Sequence, residues 1–171
     1  MQQRKTNKGA DKYNQKNYEW FYIVRIIVIT IVVVLALSFL VLGWSRVDGQ
    51  SMEPTLKNGQ PVAYLRFGRD YKLGDIIAIK MTSGESYVKR IAGMPGDIIE
   101  VKDGALYRNG EQVTEDYIGN SVTKSQKGVV KYPYTVPEGS YWVLGDNREH
   151  STDSRTCGAV IREDVKGLVL Y

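Results

Sequence analysis

The chain reads as a mostly β protein carrying one N-terminal transmembrane helix. Three observations predict this. A long apolar run lies near the N-terminus, the sequence beyond it breaks into short β-branched and aromatic runs, and turn pairs containing glycine separate those runs. The expected parts are a basic cytoplasmic tail over 1–19, a transmembrane helix over 20–42 and an extracytoplasmic, antiparallel β-rich domain over 43–171.

The helix rests on length and flanks. Between residues 26 and 42 only Thr30 and Ser38 are polar, and Trp20, Phe21, Tyr22, Ile23 and Val24 extend the run backward across Arg25. At about 1.5 Å per residue this crosses a hydrocarbon layer of roughly 30 Å. Arg25 is near enough to one end to snorkel to the headgroups, and Trp20 and Trp44 bracket the span as interfacial aromatics. Arg4, Lys5, Lys8, Lys12 and Lys16 place the N-terminus inside and everything past the span outside. A cleavable signal peptide shares these features, but the apolar run is longer than an h-region, and Leu42-Gly43-Trp44-Ser45-Arg46 offers no small-x-small site. Residues 2–17 are polar without apolar period, which predicts a solvated tail.

Charge excludes one class of partner. The net +4 is carried by the first 42 residues, with six basic and two acidic side chains, which leaves 17 of each sign in the other 129. A neutral β domain offers no basic face for nucleic acid. Cys157 is the only cysteine, so no intrachain disulfide forms.

The predicted strands are 61–65, 75–80, 86–92, 98–102, 105–108, 141–144 and 165–170. Asp103-Gly104 and Asn109-Gly110 signal two-residue type I′ hairpins, while Pro95-Gly96 and Glu138-Gly139 mark further turns. Residues 111–137 are polar and weakly periodic, and are expected as a loop-rich insertion. There is no internal repeat.

The catalytic inventory is narrow. His150 is the single histidine, so a serine-histidine-aspartate triad must use it with Asp153 or Asp146. In its polar loop it reads better as solvated surface. Ser51 lacks the second glycine of a hydrolase elbow and has Pro54 where an SxxK enzyme needs lysine. The segment 49–56 can present Ser51 on a non-helical loop held open by Pro54, and is equally well an ordinary strand-to-turn junction.

A lysine acts as base only when burial lowers its pKa of about 10.4. Alternation in 86–92 puts Tyr87, Lys89 and Ile91 on one face, giving Lys89 an apolar flank, although a strand lysine is ordinarily a solvated one. Cys157 is expected as a small buried hydrophobe. One histidine and one cysteine leave no dedicated zinc site.

Four separated segments together resemble the type I signal peptidase family. They are Ser51-Met52-Glu53-Pro54-Thr55-Leu56; Arg69-Asp70-Tyr71-Lys72-Leu73-Gly74-Asp75-Ile76; Tyr87-Val88-Lys89-Arg90-Ile91-Ala92-Gly93-Met94-Pro95-Gly96-Asp97; and Gly145-Asp146-Asn147-Arg148 with Ser151, Asp153, Ser154 and Arg155. The resemblance implies a catalytic β domain of the signal-peptidase type with Ser51 as nucleophile and Lys89 as general base. It further implies that Ser151 hydrogen-bonds the lysine amine and that Asp153 pairs with Arg155. Gly49 departs from family members that place an oxyanion-hole serine there. The implied activity is cofactor-free cleavage of preprotein signal peptides by a monomer spanning the plasma membrane once, with small residues at positions −3 and −1. A non-catalytic peptide-binding domain and a self-cleaving regulator protease are the other readings.

Overall fold

A computed structural model describes residues 8–68, 70–80 and 86–171. The first seven residues of the polar tail and Arg69 of the second motif lie outside the described residues. The chain divides into two units, the first ending at Leu40 and the second running from Val41 to Tyr171.

The first unit is helix α1, Lys8–Val41. Its stretch Glu19–Val41 has 23 residues, a mean hydropathy of 3.0 and no burial, so it is long and apolar enough to cross a membrane. Residues 8–17, expected as solvated tail, have a helical backbone instead. Once the apolar stretch has nucleated, each added polar residue only propagates the helix, which is far less demanding than starting one.

Among the described residues, the second unit has eleven strands, paired antiparallel. A seven-stranded sheet contains β1 (Leu42–Arg46), β2 (Pro61–Leu65), β3 (Ile76–Lys80), β4 (Ser86–Gly93), β9 (Ser140–Leu144), β10 (Val160–Ile161) and β11 (Val165–Leu170), in the order β1-β2-β11-β3-β4-β9-β10. A four-stranded sheet contains β5 (Ile98–Lys102), β6 (Ala105–Arg108), β7 (Glu111–Gln112) and β8 (Tyr134–Thr135), in the order β7-β6-β5-β8. Both predicted hairpin turns have two positive φ angles, 53° and 77° at Asp103-Gly104 and 54° and 84° at Asn109-Gly110, as type I′ requires.

Four strands were not apparent from the sequence. β7, β8 and β10 have two residues each, too few to display a period. β1 begins where the apolar run ends, and its pairing with β2 sets it apart: Gly43 lies opposite Tyr64, and a Cβ there would fall 2.2 Å from the tyrosine ring. The expected insertion supplies β7 and β8 to the smaller sheet and a 3₁₀ turn at Asp116–Ile118.

Both faces of β3 are buried. Ile76 and Ala78 join an apolar cluster with Met52, Leu56, Val62 and Val88, while Ile77 and Ile79 join a second with Ile91, Tyr141 and Val143. A third cluster around Trp142, Ile99 and Leu106 joins β9 to the smaller sheet. Each isoleucine side chain removed from water contributes about 1.5–3 kcal/mol, so β3 and β4 form a stiff central pair.

Candidate active site

Ser51 lies on a turn between β1 and β2. The Leu56 N–H donates to the Met52 carbonyl at 2.9 Å, and Glu53 N–H donates to the Gln50 carbonyl at 3.1 Å. The segment is a non-helical turn closed by these two bonds. The turn is anchored by Met52 and Leu56, which are buried together in the core. Ser51 and Thr55 carry its polar contacts, to Lys89 and Asp146. Met52 is thus core packing.

Gly49 precedes the turn at φ +79° and donates its N–H to Asn58 Oδ1 at 3.1 Å. Nothing lies within 4 Å of where its Cβ would sit. Glycine is needed here for backbone conformation, since the surrounding space would admit a side chain.

Lys89 extends from the middle of β4, opposite Ile77 of β3. It is 2% exposed, and its Nζ donates to Ser51 Oγ at 2.7 Å. The amine also lies 5.6 Å from the Tyr87 ring centre. Burial lowers its pKa to about 8; the Asp153 carboxylate works against that fall and the Arg155 guanidinium adds to it.

The third component is the loop after β9. Asn147 donates its backbone N–H to the Ser51 carbonyl at 3.0 Å, so the loop touches the Ser51 turn directly. Asp153 organises the loop from within. Its Oδ2 accepts from the Gly145 N–H at 3.0 Å, Ser151 Oγ at 2.7 Å and Arg155 Nη2 at 2.9 Å. Its Oδ1 accepts from Arg155 Nε at 2.8 Å, and the same side chain caps the short helix α2, Ser154–Cys157.

Ser151 therefore differs from its expected contact. Among the described residues no hydrogen bond joins it to Lys89; it donates to Asp153, whose charge reaches the amine through space. Cys157 is exposed, contrary to the buried hydrophobe expected, because the inward side of α2 is taken by Ser154 and Arg155. His150 is also exposed.

Sequence reasoning missed a buried polar bridge. Arg90 Nε and Nη2 donate to Asp146 Oδ1 and Oδ2 at 2.8 and 2.7 Å, and Thr55 Oγ1 donates to Asp146 Oδ2 at 2.5 Å. It ties the Ser51 turn, β4 and the loop after β9 together. The available signal was Arg90 alternating with Val88 and Ala92, a charge on an apolar face that demands a buried partner. Beside the turn is a cleft of about 380 Å³ lined by Glu53, Pro54, Ile118, Ser121, Asn147 and Glu149. Among the described residues, no group of three or more His, Cys, Asp or Glu side chains is placed to hold a metal ion.

Comparison with known proteins shows the family. The family model described as signal peptidase, peptidase S26, matches residues 20–171. Signal peptidase I of Bacillus licheniformis is 37% identical over 166 residues, covering 90% of this chain and 88% of its own length. Signal peptidase IB of Staphylococcus aureus is 33% identical over 171 residues, covering 90% and 87%. A crystal structure of a signal peptidase I from Enterococcus faecalis matches with a TM-score of 0.50 and 35% identity, covering 59% of this chain and 97% of that one. The chain thus belongs to the signal peptidase family S26, serine proteases that cleave signal peptides.

Proposed function

We propose that Ser51 and Lys89 form the catalytic pair with which this chain removes signal peptides at the outer face of the plasma membrane. The observation that carries the reading is the 2.7 Å contact between Lys89 Nζ and Ser51 Oγ, with the lysine buried and the serine half-buried. Deprotonated, the amine accepts the hydroxyl proton across that distance as Ser51 Oγ attacks the scissile carbonyl. The Ser51 backbone N–H is the proposed oxyanion donor. Lys89 then gives the proton to the departing amine of the mature protein, leaving an acyl-enzyme. Water attacks that ester with Lys89 again as base, freeing Ser51 and the signal peptide.

Chain length supports the membrane-face assignment. Nine residues separate Leu42 from Ser51, so at about 3.3–3.6 Å each the nucleophile lies within roughly 30 Å of the end of the apolar stretch. A signal peptide is cut just past its own apolar segment, at matching depth. β1 is an edge strand of the larger sheet and leads to Ser51 within five residues, so an extended substrate segment is proposed to pair there, with shallow pockets selecting small residues at −3 and −1. The basic tail supports an inside N-terminus and a single span, and the enzyme is proposed to act as a monomer.

The test is preprotein cleavage by the full chain in proteoliposomes. Ser51→Ala and Lys89→Ala should each lose at least about a thousandfold in rate. His150→Ala should stay within about twofold, since its exposed ring lies outside the mechanism. Cleavage retained in Lys89→Ala sinks the proposal.

A further inference from the structure

We propose that the segment from Glu115 to Gln126 is a positioning strap for the Ser51–Lys89 pair, acting on it through the loop 145–157. The inference rests on reading that pair as the reacting groups.

Gln126 grips the loop on both sides of Asp153. Its Nε2 donates to the Ser151 carbonyl at 2.8 Å, and its Oε1 accepts from Thr156 Oγ1 at 2.5 Å. Arg155 Nη1 adds a bond to the Lys124 carbonyl at 3.2 Å, and Val129 N–H one to the Thr156 carbonyl at 3.1 Å. The backbones approach so closely that a Cβ on Gly128 would fall 2.2 Å from the Thr156 carbonyl oxygen.

At the other end Glu115 receives the Arg148 guanidinium, Oε1 from Nη2 at 2.6 Å and Oε2 from Nη1 at 2.8 Å. Arg148 also bonds Thr123 Oγ1 and donates from Nε to the Gly145 carbonyl at 2.9 Å. The Arg148 and Glu115 side chains are 1% and 5% exposed. Thus a polar segment without apolar period is committed to a buried ion pair that a solvated loop would not need.

The clamped loop is what connects the strap to chemistry. Its Asn147 N–H holds the Ser51 carbonyl, and its Asp153 and Arg155 set the electrostatic balance at Lys89. Losing the Gln126 grip loosens residues 151–156, which keep their Asp153 and Arg155 bonds, and admits water beside Lys89. Rehydration favours the ammonium, so a smaller fraction of enzyme carries a competent base at a given pH. Gln126, Glu115 and Thr123 never touch the reacting atoms, so they are positioning residues.

The experiment measures pH profiles of preprotein cleavage and thermal unfolding for the full chain in detergent micelles. Gln126→Ala should lower kcat about tenfold with KM within about twofold, and move the acidic limb of kcat/KM upward by about one pH unit. Thr156→Val, which removes one hydroxyl without changing shape, should move both in the same direction by less. Folded Gln126→Ala with wild-type kcat and limb overturns the inference, as does a lowered Tm with an unmoved limb. If Gln126→Ala does not fold, the direction of the limb in Thr156→Val decides. Lys89→Ala run alongside separates the failures: if it cleaves, the pair reading is lost, and if it is inactive while Gln126→Ala is wild type, only the strap is lost.

Discussion

Arg90 and Asp146 meet in a two-pronged ion pair in which both side chains are buried, at 7% and 0% exposure. Arg90 is adjacent in sequence to Lys89, and Asp146 to Gly145 of the loop that contacts Ser51. The pair therefore fixes the lateral distance between the elements that present the proposed base and nucleophile.

Asp146→Asn removes the charge but keeps the shape, leaving the guanidinium buried without its counter-ion. Breaking a buried pair from one side costs about 3–5 kcal/mol. Urea unfolding should show that loss together with a cleavage rate at least about tenfold lower. Thr55→Val leaves the pair intact and deletes the 2.5 Å bond to Asp146 Oδ2 and the long 3.4 Å bond from Arg90 Nη2, so about 1 kcal/mol is expected. Equal losses in the two variants would refute this ranking.

The pKa of Lys89, lowered to about 8, sets a pH dependence for both rate and stability. At pH 7 roughly one amine in ten is neutral, against a few in ten thousand at the ordinary value of 10.5. The rate of Ser51 acylation should rise about tenfold per pH unit up to about pH 8 and then level off.

Stability moves with the same titration. The folded pKa lies below the unfolded one, so below pH 8 both states hold the proton and the fold bears the full penalty of a buried ammonium. Between pH 8 and 10.5 the unfolded state binds more protons, and stability rises with pH. Lys89→Met should therefore be more stable than wild type at pH 7 by up to about 3 kcal/mol, with the gap closing through that window. A gap that widens toward pH 10 is incompatible with this assignment.

Much of this fold could be read from local pattern because its long strands obey it. The runs at 61–65, 98–102, 105–108 and 165–170 coincide with β2, β5, β6 and β11, and the Asp-Gly and Asn-Gly pairs identify their turns through a backbone requirement few residues meet. Two-residue strands carry no period, and the polar start of α1 is helical only because its neighbour is. At the site, alternation shows the apolar flank of Lys89, because that is a property of one strand. Long-range partners are hidden: nothing in the order of residues says that Ser151 answers to Asp153 instead of Lys89, or that Glu115 and Gln126 reach the loop after β9.

Cys157 is an exposed residue whose sulfur lies back along α2, with Sγ 3.2 Å from the Asp153 carbonyl oxygen. Partial burial, and then the Asp153 charge, raise its thiol pKa. Since the thiolate is the reactive form, maleimide labelling at pH 7 should be several-fold slower than for a free cysteine and should accelerate above pH 9. Cys157→Ser should retain cleavage within about twofold. Rapid labelling at neutral pH would contradict the raised thiol pKa.

Two glycines near Ser51 are required for opposite reasons, and substitution separates them. Gly49 sits at φ +79° in open space, so Gly49→Ala strains only the backbone, at about 1–2 kcal/mol. Gly145 is hemmed in: an added Cβ would lie 2.2 Å from Ser151 Oγ and 2.5 Å from the Ser51 carbonyl oxygen. Gly145→Ala must push the loop away from the nucleophile turn, threatening the Asn147 bond to Ser51 and the Asp153 contacts together. Overpacking of this kind costs about 1–3 kcal/mol, similar to the strain at Gly49, so stability alone does not distinguish the two. Activity does. Gly145→Ala should lose cleavage by at least about a hundredfold at a temperature where it remains folded, because small displacements of reacting groups have effects of that size. Gly49→Ala should keep most of its rate once folded. If folded Gly145→Ala cleaves as well as folded Gly49→Ala, the close packing of Gly145 against Ser51 and Ser151 does not govern the alignment of the pair.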